Sequence, residues 1–514
     1  MRKKFIRNKK ARYAAVSVAL TVMVIVVAVL ANAVLTSLVE RYSLYAYLTP
    51  VEAFDVSEDC YALLEDAFED AKAPTVEILF CDLEDNVKAD DSPNYYLYHT
   101  AMSLAERFDN VKVKFLDIFT NPTPVKQYTT SKNPLTGEVI ETALVSTSVI
   151  VVSGEYHRVY NWTEFYVFED ETSGEPWAYN GEKKLSAALM RAIDTDPRIA
   201  CLLSNHGEVF YDYELLTLLD DAGYTVVYID LYKESIPDNC DMIISYNPNS
   251  DLITDDLSKV SEKKILDDFL KEDGHSFFVF LENGTPSLPN FEAYLKEWGV
   301  ATDYAKNATT EVSYRYMVQD QSQSLTSDGY TIYGEATQSE AAKGFLNPDA
   351  KYVVFSNATA LSVTSEGYTD QHDGTYRSMS GARTLYPLYY SGDSALSWAN
   401  GKVVDDGPFM LMSVTEQNNG NGSSYVGVVS SVNFSAKEFL QSAVYDNGDV
   451  MFRILDVVGE RSTPAGLTIK PFASYDISTI TTAQMLRWTV ALAAIPAVIT
   501  LIAGVIVLVK RRRA

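Results

Sequence analysis

Two stretches without charge, one near each end, constrain this chain more than anything between them. Tyr13 to Val39 is 27 residues long and Trp488 to Val509 is 22, and neither holds a Lys, Arg, Asp or Glu. About 20 apolar residues suffice to cross a bilayer's hydrocarbon as a helix. Seven cations precede the first stretch (Arg2, Lys3, Lys4, Arg7, Lys9, Lys10 and Arg12), and Lys510 to Arg513 follow the second. Basic clusters beside a span stay on the cytoplasmic side. The pattern therefore predicts transmembrane helices at 13–39 and 488–509, with basic cytoplasmic tails at 1–12 and 510–514. Residues 40–487 would then be extracytoplasmic. Ala31-Asn32-Ala33 also fits a small-x-small cleavage site, but the apolar run exceeds the roughly 7–15 residues of a signal peptide. A retained anchor is therefore expected.

All 69 acids lie between Glu40 and Arg487, against 31 cations, so this region carries a balance of −38. A body so acidic is unsuited to phosphate backbones, which demand clustered cations, and no nucleic-acid partner is expected. Hydrophobic residues at 47% and charged residues at 22% are globular proportions, not those of a disordered chain. Cys60, Cys81, Cys201 and Cys240 form no C-x-x-C pair, and four in so long a region make no disulfide framework. Neither zinc-ligand spacing nor a G-x-x-x-x-G-K-[ST] loop nor a G-x-S-x-G elbow is present, so no metal, ATP or other cofactor is expected.

Periodicity divides the middle region. Val76 to Cys81 reads as a strand, Leu97, Ala101, Leu104 and Phe108 as a helix face, and Val111 to Phe115 as a second strand. Ser148 to Ser153 and Tyr156 to Tyr160 then form a hairpin about Gly154-Glu155. This order is compatible with a thioredoxin-like α/β domain over 50–175, lacking the C-x-x-C that redox work needs. From 180 to 470 strands alternate with helical patterns: Ile199–Leu203, Thr225–Leu231, Met242–Tyr246 and Ser276–Leu281, with helix faces at 215–222 and 265–270. Such alternation predicts βαβ crossovers and a parallel sheet. Between about 301 and 425 the texture turns to short alternating runs, read as a β-rich insertion with long loops, Glu416 to Ser424 among them. Tyr425 to Val432 resumes a buried strand.

Ligands gather at the carboxyl ends of parallel strands. Those ends carry Asn205, His206, Gly207 and Glu208, then Asn247, then Glu282. His206 and Glu208 could transfer a proton or hold a substrate hydroxyl. Alternatively, His206-Gly207 makes a tight turn and Glu208 caps the next helix. No nucleophile accompanies the pair, so no catalytic residue is assigned and the six residues stand as a ligand- or partner-site candidate.

Several segments together resemble the GldG family, auxiliary membrane subunits of ABC-type transport systems. They are Ser148 to Tyr166, Asn180 to Ala188 (NGEKKLSAA), and Asn205-His206-Gly207-Glu208, similar to that family's G-H-G-E turn. Further along come Leu215 to Leu231 (LLTLLDDAGYTVVYIDL), Ile236-Pro237, Cys240 to Pro248, Leu266 to Phe280, Asp446-Asn447-Gly448-Asp449 and the closing 496–513 stretch. The resemblance implies that the 180–470 domain is similar to class I glutamine amidotransferase folds without their nucleophilic Cys. It also implies a place in a bacterial cell membrane beside an ABC permease and a cytoplasmic ABC ATPase. The function expected is thus a non-catalytic accessory subunit whose outer domain binds a partner or cargo. A hydrolase or carbohydrate-active enzyme using His206 and Glu208, or a surface adhesin or glycan-binding protein, are the alternatives.

Overall fold

The computed structural model describes residues 54–472 and Arg487, apart from 70–72, 133–138, 169–173, 195–197, 209–212, 255–259, 285 and 307–312. Its fold is mixed α/β. α1 (Glu58–Phe68) is followed by β1 (Val76–Phe80), α2 (Tyr95–Arg107), β2 (Val111–Phe115), β3 (Val149–Ser153) and β4 (Tyr156–Tyr160). The sheet order is β2-β1-β3-β4, with β1 parallel to β2 and antiparallel to β3. Every residue of β3 is buried, because both faces are covered.

α3 (Gly181–Ile193) covers one of those faces. Leu185, Ala188, Leu189 and Ala192 join the core of the first sheet together with Val76, Ile78 and Val149. This helix therefore completes the first layer, although its sequence position suggested that it opens the second. Its two lysines reach the other way. Lys183 pairs with Asp449 at 2.7 Å and Lys184 with Asp221 at 2.5 Å, while Glu182 accepts from the Ser57 backbone and pairs with Lys470.

The second sheet holds the parallel strands β5 (Arg198–Leu203), β6 (Tyr224–Ile229), β7 (Cys240–Tyr246) and β8 (Ser276–Phe280). They are connected by α4 (Glu214–Asp221) and α5 (Glu262–Phe269), and α6 (Pro289–Glu297) follows β8. Strand order is β6-β5-β7-β8, after which come β11 (Ser423–Val429), β10 (Met410–Asn418) and β9 (Arg383–Tyr390). β11 runs parallel to β8, β10 pairs antiparallel with β11, and β9 pairs antiparallel with β10. The two long strands of the 301–425 region extend the parallel sheet without a break. Gly427 permits the join, because a Cβ there would lie 2.3 Å from the Phe278 ring on β8. Glu416 to Ser424, read as a long loop, is mostly paired strand. Asn418 faces Ser423, and Asn419 donates to the Gly422 carbonyl across a four-residue turn. An Asn/Gly-rich run reads as loop by composition, but it also supplies hairpin turns. α7 (Asn447–Gly459) closes the body.

The membrane architecture requires correction. Among the described residues no helix is long and apolar enough to cross a membrane. α2, α3 and α7, at 13 residues each, reach about 20 Å, short of the roughly 30 Å of hydrocarbon, and carry charged faces. Both uncharged stretches, 13–39 and 488–509, lie outside the described residues. The two-span fold class and the membrane localisation resting on it do not hold for the described residues.

Candidate functional site

β5 lies between β6 and β7. The chain leaves β5, passes through α4 to β6 on one side, then crosses to β7 on the other. That reversal is a topological switch point, where open parallel sheets commonly hold their ligands. The loops after β5 and β7 flank it, and they carry Asn205 to Glu208 and Asn247 to Ser250.

The two loops are stitched to each other. The Asn249 and Ser250 backbone N–H groups both donate to the His206 carbonyl at 2.8 Å. Asn249 Nδ2 lies within hydrogen-bonding range of the Gly207 carbonyl, at 3.1 Å, and of the Asn247 carbonyl, at 3.0 Å. Gly207 has φ +73°, and a Cβ there would lie 3.3 Å from the Asn249 Cβ. Glycine is suited on both counts. Asn247 also takes a left-handed conformation, at φ 53°, which aims its Nδ2 at Glu282 Oε2, 2.7 Å away. Beyond it, buried Arg315 donates from Nη1 to the Glu282 carbonyl at 2.9 Å.

His206 sits between two carboxylates. Its Nε2 is 2.9 Å from Glu262 Oε2. Its Nδ1 is 3.3 Å from Glu208 Oε1, within ion-pair range though poorly aligned for a hydrogen bond. Side-chain exposures are 3% for His206, 2% for Glu208 and 0% for Glu262, so water screens none of the three. Burial opposes the imidazolium, but the flanking carboxylates of Glu208 and Glu262 outweigh it and lift the His206 pKa from 6.5 to about 9. Burial likewise works against the Glu262 carboxylate. Donors from His206, the Ile253 backbone at 2.7 Å and Asn205 Nδ2 at 2.8 Å overcome it and lower that pKa.

All six residues singled out in the sequence thus lie along these strand ends. Asn205, His206 and Glu208 share one buried cluster, and Gly207 makes the turn that closes it. Asn247 and Glu282 form a second link, joined to the first through Asn249. Glu208 does not serve as a cap, for it folds back to accept from the His206 backbone N–H at 2.8 Å, six residues before α4 begins. Glu262, Asn249 and Arg315 were missed. Ser261-Glu262 reads as an N-cap followed by a first-turn acid, and Ser261 does accept from the Lys264 N–H. Nothing in that pattern says the acid is buried.

Chemically, the arrangement is closed. One ring nitrogen of His206 is hydrogen-bonded to a protein carboxylate and the other faces a second, so neither is directed at a ligand. Among the described residues no group of three or more His, Cys, Asp or Glu could hold a metal ion. Compared with known proteins, the chain matches no family model and no curated sequence, so its resemblance to the GldG family stands on the quoted segments alone.

Proposed function

We propose that this chain is a non-catalytic accessory subunit of an ABC-type transport system, a body that binds a partner or cargo. The observation that carries the reading is the sealed switch point. Where a doubly wound enzyme would open a crevice, Asn249 and Ser250 bond directly to the opposing loop and His206 is held between Glu208 and Glu262. A general base must come within hydrogen-bond reach of a substrate proton, and His206 is turned inward at both ring nitrogens. The resemblance to the GldG family supports the transport setting. So does the missing Walker loop, since ATP hydrolysis must then come from a separate ATPase.

Gentle detergent purification of the tagged full chain from its native cell tests this reading. An ABC ATPase and a multi-span permease should co-purify in fixed ratio. Reproducible recovery of the chain alone would remove the transport assignment. Replacing His206 and Glu208 by Ala distinguishes the enzymatic alternative, which requires lost activity at unchanged melting temperature. Here the melting temperature itself should fall.

A further inference from the structure

Away from the strand ends, a cavity of about 450 Å³ opens where the 300–410 region folds against the antiparallel end of the second sheet. Its floor is apolar, formed by buried Leu361, Phe409 and Met410. Four half-buried tyrosines, Tyr316, Tyr368, Tyr376 and Tyr390, line it. Four exposed carboxylates, Asp303, Asp370, Asp405 and Asp406, line it as well, and among the described residues no Lys, Arg or His does.

Among the described residues these carboxylates lack partners of opposite charge. Among the described residues none lies within ion-pair range of a Lys or Arg. Asp370 approaches only His372 Nδ1, at 3.8 Å, on a side chain 91% exposed. Asp370 and Asp405 otherwise accept from neighbouring backbone N–H groups. Some acids of the body are paired, Asp221 with Lys184 and Asp241 with Arg198 among them, but these four are not. A concavity lined by one sign of charge concentrates counter-ions.

Tyr368 donates its hydroxyl to the Glu297 carbonyl at 3.1 Å, and its ring packs so close to Gly299 that a Cβ there would lie 3.0 Å away. Burial, reinforced by Tyr376 and Asp370, pushes the Tyr390 phenol up to about 12, and burial does the same for Tyr368. Both phenols therefore stay neutral, and the face of a neutral phenol ring carries a negative quadrupole.

We propose that this cavity binds an organic ammonium ion, its cationic head against the tyrosine faces and its charge balanced by the surrounding aspartates. Aromatic faces with adjacent carboxylates are the chemistry that recognises quaternary and alkyl ammonium groups. The volume suits a small organic molecule. A bare metal fits less well, because these carboxylates do not converge into a group that could hold one. The inference goes beyond the transport reading and uses none of the residues of the sealed site.

Isothermal titration of the purified full chain with choline and, separately, with spermidine is the test, with maltose as a neutral control. At least one cation should bind saturably, which also tells a quaternary head from a polyamine. Affinity should fall about tenfold in D405N/D406N and in Tyr376→Leu, with melting temperatures unchanged. Absence of saturable heat from both cations overturns the proposal. So does binding that both variants leave intact, or maltose binding that the Asp→Asn changes do not affect, which would make the cavity a glycan site. Co-purification with an ATPase and permease is unaffected by any of these outcomes, so the two readings fail separately.

Discussion

His206→Gln removes the only cation between two buried carboxylates, and its cost can be worked from both sides. The wild-type imidazole rises from 6.5 to about 9 on folding, and at about 1.4 kcal/mol per tenfold change in proton affinity this links about 3 kcal/mol of stability to the proton. The sign follows from the direction. A group whose folded pKa is raised contributes fully below its unfolded value, so the contribution is complete at pH 6. It then drains away at about 1.4 kcal/mol per pH unit between 6.5 and 9, as the unfolded imidazole loses its proton first. Glu262 behaves oppositely, because its lowered pKa makes its contribution disappear as pH falls through the carboxylate range. Independently, stripping one partner from a buried pair costs about 3–5 kcal/mol, because the remaining charge is left uncompensated. Urea denaturation of wild type and H206Q at pH 6.0, 7.5 and 9.5 checks both estimates. The two proteins should differ by about 3 kcal/mol at pH 6 and converge toward pH 9.5. The difference curve subtracts the titrating groups that do not touch His206; Glu262, held low in part by His206, titrates at higher pH in the variant and adds to the difference only in the carboxylate range. Parallel pH profiles, or a variant as stable as wild type at pH 6, would refute the assignment of His206 as a buried imidazolium.

Lys184→Met leaves Asp221 buried without its cation, and should lower stability by about 3–5 kcal/mol, whereas the double change K184M/D221L should restore most of it in the same denaturation assay. Gly181→Ala sets a Cβ 2.2 Å from the buried Tyr179 ring, and should destabilise by at least about 1–3 kcal/mol in thermal melts. All four thiols are buried; burial pushes Cys60 up to about 12 and Cys81 up to about 11. Ellman's reagent should therefore find no reactive thiol in the native chain at pH 8 and four after unfolding. Fast native reaction at any cysteine would contradict its burial.

The periodic parts of the chain were legible because their physics is local. Val111 to Phe115 alternates because one face is covered, and the structure places β2 over the same residues. The run from β5 to β8 follows equally directly from apolar strands separated by helical spacing. Partnership was not legible. α3 shows an apolar face in its sequence, but not that Leu185 and Leu189 pack on the first sheet while Lys183 and Lys184 reach Asp449 and Asp221, the former 266 residues away. The β-rich texture after 301 likewise announced strands, yet not that β10 would pair with β11 and make one sheet of both regions. Pairing depends on which edge is left open, and no local pattern encodes that.

The strand-end residues illustrate the same limit on the functional side. Position alone identified Asn205 to Glu208, Asn247 and Glu282, because carboxyl ends follow from strand boundaries. Whether such ends form a crevice or a seam is decided by Asn249 and Glu262. One is an ordinary loop residue and the other an ordinary first-turn acid. Asn249 could have faced water, yet it bridges two carbonyls across the switch point. Glu262 could have complemented the α5 dipole from outside, yet it is fully buried against His206. A buried His between two carboxylates needs both partners to offset its desolvation, so loosening either loop to admit a ligand would expose a charge imbalance as well as a cavity. The arrangement therefore resists opening by the same interactions that fill it.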